Sequence, residues 1–159
     1  MKSLVTYYSY SGNTERIARM FGKILQAKGE VHIQRLKPVN EIKNFIGQCR
    51  AARRGEKALL EEGVKFDATS YDIVLIGSPV WAFASTPPIN TFLANLTGLK
   101  GKKAVVLLTS GSGLGVKACF RNIRKILEAK GASKIDEINI PDRKNGDNDF
   151  VASSLQQIL

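Results

Sequence analysis

The sequence predicts an α/β sandwich built on a parallel β-sheet, and three observations carry that prediction. Short apolar runs alternate with helix-period segments along the whole chain. Two of the runs, at residues 73–76 (Ile-Val-Leu-Ile) and 104–108 (Ala-Val-Val-Leu-Leu), are continuously apolar, as strands covered on both faces are. No Pro/Gly/Ser-rich linker or internal repeat divides the 159 residues, a length suited to a single domain over 1–159.

The elements follow in order. Residues 4–8 (Leu-Val-Thr-Tyr-Tyr) form a β-branched and aromatic strand run. Ile17, Met20, Phe21, Ile24 and Leu25 repeat at i, i+3, i+4, i+7 and i+8, one face of a helix, and Gly29 stands where such a helix ends. Residues 31–36 alternate as an edge strand does. Residues 41–66 keep the rhythm less well. There Ile42, Phe45, Ile46 and Cys49 make one helical face, Ala51-Ala52-Arg53-Arg54-Gly55 interrupts it, and Ala58-Leu59-Leu60 resumes. One broken helix and a helix followed by a loop both satisfy that pattern. Ile89, Phe92, Leu93 and Leu96 mark the next helix, with Pro87 and Pro88 suited to its first turn. Val116, Phe120, Ile123 and Leu127 mark another, closed by Gly131. Residues 135–140 read as the other edge strand, and Val151, Leu155, Ile158 and Leu159 as a terminal helix.

Composition removes several function classes. A chain 43% hydrophobic and 24% charged is globular. Two cysteines, Cys49 and Cys119, cannot make a disulfide framework, have no CxxC spacing, and read as helix core. Neither fits the Cys-x5-Arg loop of small phosphatases. One histidine, His32, supports no His-rich metal site. Asp136, Glu137, Asp142, Asp147 and Asp149 lack EF-hand spacing, and Asp147 or Asp149 caps the last helix more simply, so no metal is expected. The apolar runs fall far short of the roughly 18 to 20 residues a membrane span needs. The N-terminus turns polar by Ser9, before a secretory core could form, so a cytoplasmic, reducing setting is expected and no membrane partner.

The charge is the unusual number. Lys and Arg total 24 against 14 Asp and Glu, a net +10, which makes an acidic partner, nucleic acid or an anionic membrane surface the first thing to test. The basic clusters are Arg50, Arg53, Arg54 and Lys57, and Lys117, Arg121, Arg124, Lys125 and Lys130. On helices they read as solvated faces. With no RRM, KH or C2H2 spacing, no nucleic-acid partner is expected.

In an open parallel sheet, ligands bind beyond the carboxyl ends of the strands, so the turns after the three apolar runs matter most. The first is Ser9, Tyr10, Ser11, Gly12, Asn13 and Thr14. It offers hydroxyls, a flexible glycine and the free N–H groups of a helix start, a natural anion site. It reads equally as an ordinary capped turn, and no Walker P-loop occurs. The second runs through Ser78, Pro79, Val80, Trp81, Ala82 and Phe83 and holds the only tryptophan, a flat surface beside the first turn. The third, Ser110, Gly111, Ser112 and Gly113 with Gly115 beyond, lets backbone approach a ligand closely. Together they suit a mononucleotide with a large planar head.

At these residues a resemblance emerges. Tyr8-Ser9-Tyr10-Ser11-Gly12-Asn13-Thr14-Glu15-Arg16-Ile17-Ala18 looks like the FMN-phosphate loop of the flavodoxin family. Tyr71-Asp72-Ile73-Val74-Leu75-Ile76-Gly77-Ser78-Pro79-Val80-Trp81 resembles the third strand and second flavin loop of its short members. The resemblance runs from residue 2 to about 130. It implies a flavodoxin-like three-layer sandwich whose five-stranded parallel sheet has the order 2-1-3-4-5, with FMN at the switch point between the first and third strands. It further implies that Ser9, Tyr10, Ser11, Gly12, Asn13 and Thr14 hold the phosphate. Ser78, Pro79, Val80, Trp81, Ala82 and Phe83 would line the ribityl chain and ring, with Trp81 stacking. Ser110, Gly111, Ser112 and Gly113 would meet the pyrimidine edge through backbone N–H groups.

The implied function is FMN-dependent electron transfer, with an FMN-dependent NAD(P)H:acceptor oxidoreductase as the alternative. No side chain is singled out as catalytic, because the redox chemistry belongs to the flavin. Two departures bear on the partner. Carrier flavodoxins are acidic, whereas this chain is +10, so a redox partner with an acidic surface is the expectation. The third turn also lacks the Tyr that often covers the second flavin face, leaving Tyr10 or Phe83 to fill that place or the face open. The three turns themselves contain no charged residue.

Overall fold

The computed structural model describes residues 1–158. Leu159, assigned above to the terminal helix pattern, lies outside the described residues. The strands are β1 (Lys2–Tyr7), β2 (Glu30–Arg35), β3 (Ile73–Pro79), β4 (Lys103–Ser110) and β5 (Lys134–Pro141). The helices are α1 (Asn13–Gln26), α2 (Phe45–Arg53), α3 (Pro87–Asn95), α4 (Val116–Ala129) and α5 (Asn148–Gln156). All four strand pairings are parallel and the order is β2-β1-β3-β4-β5. The two runs with broken hydrophobicity, β2 and β5, are the edges.

Side chains of a strand alternate between its faces, and the sheet therefore feeds two cores. On one side Leu4, Val74, Ile76, Val106 and Leu108 pack against Ile89, Phe92 and Leu93 of α3 and Cys119, Ile123 and Leu127 of α4. On the other, Val5, Leu75, Val105 and Leu107 meet Ile17, Phe21 and Leu25 of α1 and Val151 and Leu155 of α5. Nearly all are fully buried, each contributing about 1.5–3 kcal/mol. Helix ends follow local chemistry. Pro87 and Pro88 occupy the first turn of α3, and the Asp147 carboxylate accepts from the Phe150 N–H, 3.0 Å, at the start of α5.

Residues 41–66 resolve as one short helix and an irregular connection. The helical face expected from Ile42, Phe45, Ile46 and Cys49 is not the one α2 buries. Gln48, Ala51 and Ala52 face inward, while Phe45 and Ile46 are 78% and 70% exposed. Small side chains let the helix lie close to its support, and Gln48 Nε2 donates to the Ile42 carbonyl, 2.7 Å. Residues 58–60 are not helical. The Ala58 N–H donates to Thr91 Oγ1 at 2.9 Å, the Val39 N–H donates to the Leu59 carbonyl at 2.8 Å, and Pro38 bridges Leu60. No helix among the described residues is long and apolar enough to cross a membrane.

Candidate functional site

The strand order reverses between β1 and β3, and the turn after β1 lies at that reversal. Gly12, with φ +94°, takes the N-cap position of α1, and no side chain caps the helix. The Ser9 hydroxyl accepts from the Gly12 N–H at 3.1 Å. The N–H groups of Tyr10, Ser11, Asn13, Thr14 and Glu15 have no partner among the described residues. An uncapped helix start with five free donors is an anion cradle. Thr14 is buried, and its hydroxyl bonds the Thr109 hydroxyl at 2.8 Å. It therefore ties the first turn to the end of β4 instead of facing outward.

Charge reaches this turn from β2. Arg35 donates to the Ser9 carbonyl at 3.1 Å and to the Glu15 carboxylate at 3.0 Å. Glu15 also accepts from Arg19 at 2.9 Å and from the Tyr7 hydroxyl at 3.1 Å. Burial alone would raise the Glu15 carboxyl, but these hydrogen bonds and the charges of Arg35 and Arg19 outweigh it, and its pKa lies below the ordinary 4.5. The turn residues carry no charge, yet a guanidinium sits against their backbone.

The second turn is a tight reversal. Trp81 and Ala84 exchange N–H···O bonds of 3.0 Å in both directions, and between them Ala82 and Phe83 have φ of +46° and +72°. Two left-handed residues in succession suit a primed turn, which normally takes Asn-Gly. Without glycine each costs about 1–2 kcal/mol. Trp81 meets Tyr8 and Tyr10 edge-on, with centroids 5.7 and 6.1 Å away. The two tyrosines also hold the segment leading into α2. Tyr8 donates to the Glu41 carboxylate and Tyr10 to the Lys43 carbonyl at 3.1 Å. Burial first, and then the Glu41 contact, push the Tyr8 hydroxyl pKa up.

The third turn joins the second through Val80 N–H to the Thr109 carbonyl, 2.9 Å. The Ser110 hydroxyl donates to Asn139 Oδ1 at 3.0 Å. The N–H groups of Gly111, Ser112 and Gly113 have no partner among the described residues. Gly115, with φ +79°, starts α4, and the Phe83 ring lies directly on it.

The second and third turns border a cleft of about 410 Å³, with Val80, Trp81, Ala82 and Phe83 on one side and Gly111, Ser112 and Leu114 on another. The third wall is α2, through Phe45, Gln48 and Cys49. Of the residues singled out from the sequence, Val80, Trp81, Ala82, Phe83, Gly111 and Ser112 line this cleft. Ser9, Tyr10, Ser11, Gly12, Asn13 and Thr14 form the adjoining cradle, which touches it through the Tyr10–Trp81 contact. Ser78 is fully buried behind the turn; Pro79, Ser110 and Gly113 border the cleft without lining it. Sequence reasoning missed Arg35, Phe45, Gln48 and Leu114. It also placed Cys49 in a helix core, whereas the thiol is half-buried in the cleft wall. The available signal was the Phe45–Cys49 spacing of four on a helix whose apolar face had no strand to cover. Cys119 is core as read, and burial pushes its thiol up to about 12.

The sequence model of a family described as Flavodoxin matches residues 50–139, more than half of the chain. The chain belongs to the flavodoxin family. Solved structures share its fold. An NADH:FMN oxidoreductase in its apo form is 22% identical, with 99% of this chain and 86% of that one covered and a TM-score of 0.71. A Bacteroides uniformis ATCC 8492 protein is 21% identical over 98% and 97%, TM-score 0.71. Oxidised flavodoxin 1 from Bacillus cereus is 16% identical over 100% and 99%, TM-score 0.61. No curated protein matches. At these identities the likeness is one of fold, and it spans a flavodoxin and an oxidoreductase alike.

Proposed function

We propose that the chain binds FMN and serves as an electron-transfer protein of flavodoxin type. Membership of the flavodoxin family makes the ligand class a flavin. The observation that carries the finer reading is the pairing of an anion cradle with a cleft. Five unpartnered N–H groups gather at the β1–α1 turn, next to a cleft of about 410 Å³ with an indole in its wall. That volume lies within the usual range of small-molecule sites. The phosphate end would meet the free donors, the positive end of the α1 dipole and the Arg35 guanidinium. Trp81, held edge-on by two tyrosines, supplies a flat apolar wall, and the free N–H groups of Gly111 and Ser112 supply donors to polar ring edges. Bound FMN supplies the redox chemistry; the chain binds, orients and shields it.

The basic surface supports an acidic redox partner. Arg50, Arg53 and Arg54 stand exposed along the outer face of α2, the same helix that walls the cleft. Opposite charges on two docking surfaces speed association. Two free thiols go with a cytoplasmic setting. One observation favours the oxidoreductase reading: the cleft mouth is open, with Phe83 57% and Leu114 71% exposed and no aromatic residue in the third turn. Such a mouth admits a nicotinamide.

Trp81 is the only tryptophan, so quenching of its fluorescence reports on the cleft. Titrated FMN is expected to quench it to saturation at one equivalent and to bind about tenfold or more tighter than riboflavin, which lacks the phosphate. Absence of quenching by either flavin defeats the proposal. Sustained NAD(P)H oxidation by the FMN-loaded protein decides for the oxidoreductase; its absence decides for the carrier.

A further inference from the structure

A second concavity, of about 420 Å³, opens between the C-terminal end of α2, α3 and α4. It is separate from the cleft above and borders the second turn at Ala84 and Ser85. Its floor is apolar, with Leu93 and Ile123 buried and Ile126 left 38% exposed. Its rim is cationic. Arg53 and Lys57 are exposed and have neither an acidic nor a hydrogen-bonding partner among the described residues. Lys130 donates to the carbonyls of Leu96 and Ala94, at 2.8 and 3.3 Å, which holds its ammonium over the end of α3. No Asp or Glu lines the groove. The nearby acids are engaged elsewhere: Glu56 faces Arg54 at 3.8 Å and Glu128 faces Arg124 at 3.8 Å.

The walls are fixed by hydrogen bonds, so the space does not depend on a loose loop. Asn90 Nδ2 donates to the Glu56 carbonyl at 2.8 Å, and Thr91 Oγ1 donates to the Ala58 carbonyl at 2.7 Å, pinning the 56–58 segment to α3. Gly55, with φ +63°, turns the chain at the end of α2 so that Arg53 and Lys57 reach the same rim. Three like charges around an apolar floor repel one another, and a bound anion relieves that repulsion while its apolar body covers the exposed isoleucine. The volume suits a molecule of two or three rings.

We propose that this groove is a second binding site, for a small aromatic organic anion such as an aryl carboxylate or sulfonate. The occupant is set by charge complementarity and by the apolar floor. A highly charged, poorly apolar anion such as free phosphate leaves Ile126 in water and gains only the rim. The site does not depend on FMN binding in the other cleft.

8-Anilinonaphthalene-1-sulfonate is the probe, because it joins two aromatic ring systems to one sulfonate and brightens when dehydrated. The expected result is one saturable site whose affinity falls as salt rises and does not change with excess FMN. Ile126→Glu and Ala94→Glu, both at exposed positions lining the groove, are each expected to weaken binding about tenfold or more by placing a carboxylate against the floor. Circular dichroism checks that each variant is folded, and Ala94→Glu stands alone if Ile126→Glu is not. The uncharged analogue N-phenyl-1-naphthylamine is expected to bind about fivefold or more weakly. Lack of saturable binding, displacement of the dye by FMN, equal binding of the neutral analogue, or binding that survives the folded variants would each overturn the proposal.

Discussion

Gly12 and Gly115 make a matched pair. Each is the N-cap of a helix and each is left-handed, at φ +94° and +79°. They differ in what surrounds them. A Cβ on Gly12 meets nothing within 4 Å, whereas one on Gly115 lies 2.5 Å from Phe83 Cα and 2.8 Å from its Cγ and Cδ1. Substitution by alanine at either site incurs about 1–2 kcal/mol of left-handed strain, offset by about 0.4–1 kcal/mol from the stiffer unfolded chain. Gly12→Ala is therefore expected to lose about 1 kcal/mol. Gly115→Ala adds an overlap with a backbone atom and a ring that cannot both retreat, about 1–3 kcal/mol more, for a total of about 2–4 kcal/mol. Urea denaturation without ligand, at unchanged m-value, measures both. Losses equal within about 0.5 kcal/mol would refute the claim that the second turn is braced on the start of α4. Gly115→Ala should also weaken FMN binding, since its displaced Phe83 belongs to the cleft wall.

Arg35→Gln is expected to weaken FMN binding about three- to tenfold while leaving riboflavin unaffected, because the guanidinium lies against the backbone of the first turn and does not line the cleft; parallel Trp81 quenching titrations compare the two. The Glu15 carboxyl is held below its ordinary 4.5, so its stabilising contribution is fully present above that value and is lost as pH falls through the depressed one. Glu15→Gln should therefore flatten the acid limb of a stability–pH curve and leave its alkaline limb in place. At pH 8 a thiol reagent should modify one equivalent, Cys49, and FMN should protect it. Cys119, pushed up to about 12 by burial, should react only on unfolding, as peptide mapping would show.

Much of the fold is legible in local spacing. The continuous apolar runs of β3 and β4, the 3.6-residue periods of α1 and α4 and the Pro-Pro start of α3 each report a covered face or a terminus without reference to the rest of the chain. The site is legible as far as its turns, since turns follow strands in sequence. Cys49 and Phe45 were opaque for the opposite reason. Four apolar-looking positions imply a buried face, but which side of α2 is buried depends on what lies beneath it, and Gln48, Ala51 and Ala52 fit that closer approach.

The sequence by itself therefore determines the alternation of strands and helices, the two edge strands, the three turns at the carboxyl ends of the strands and an excess of positive charge. The first three depend on residues within a few positions of one another, and the charge on composition alone. Only the tertiary structure decides which distant residues join those turns. Arg35 reaches Ser9 across 26 positions, Thr14 bonds Thr109 across 95, and α2 closes the cleft from a segment with no strand of its own. It also decides that Arg53, Lys57 and Lys130 crown a single apolar groove, because parallel crossovers bring the ends of separate helices together however far apart they lie in the chain.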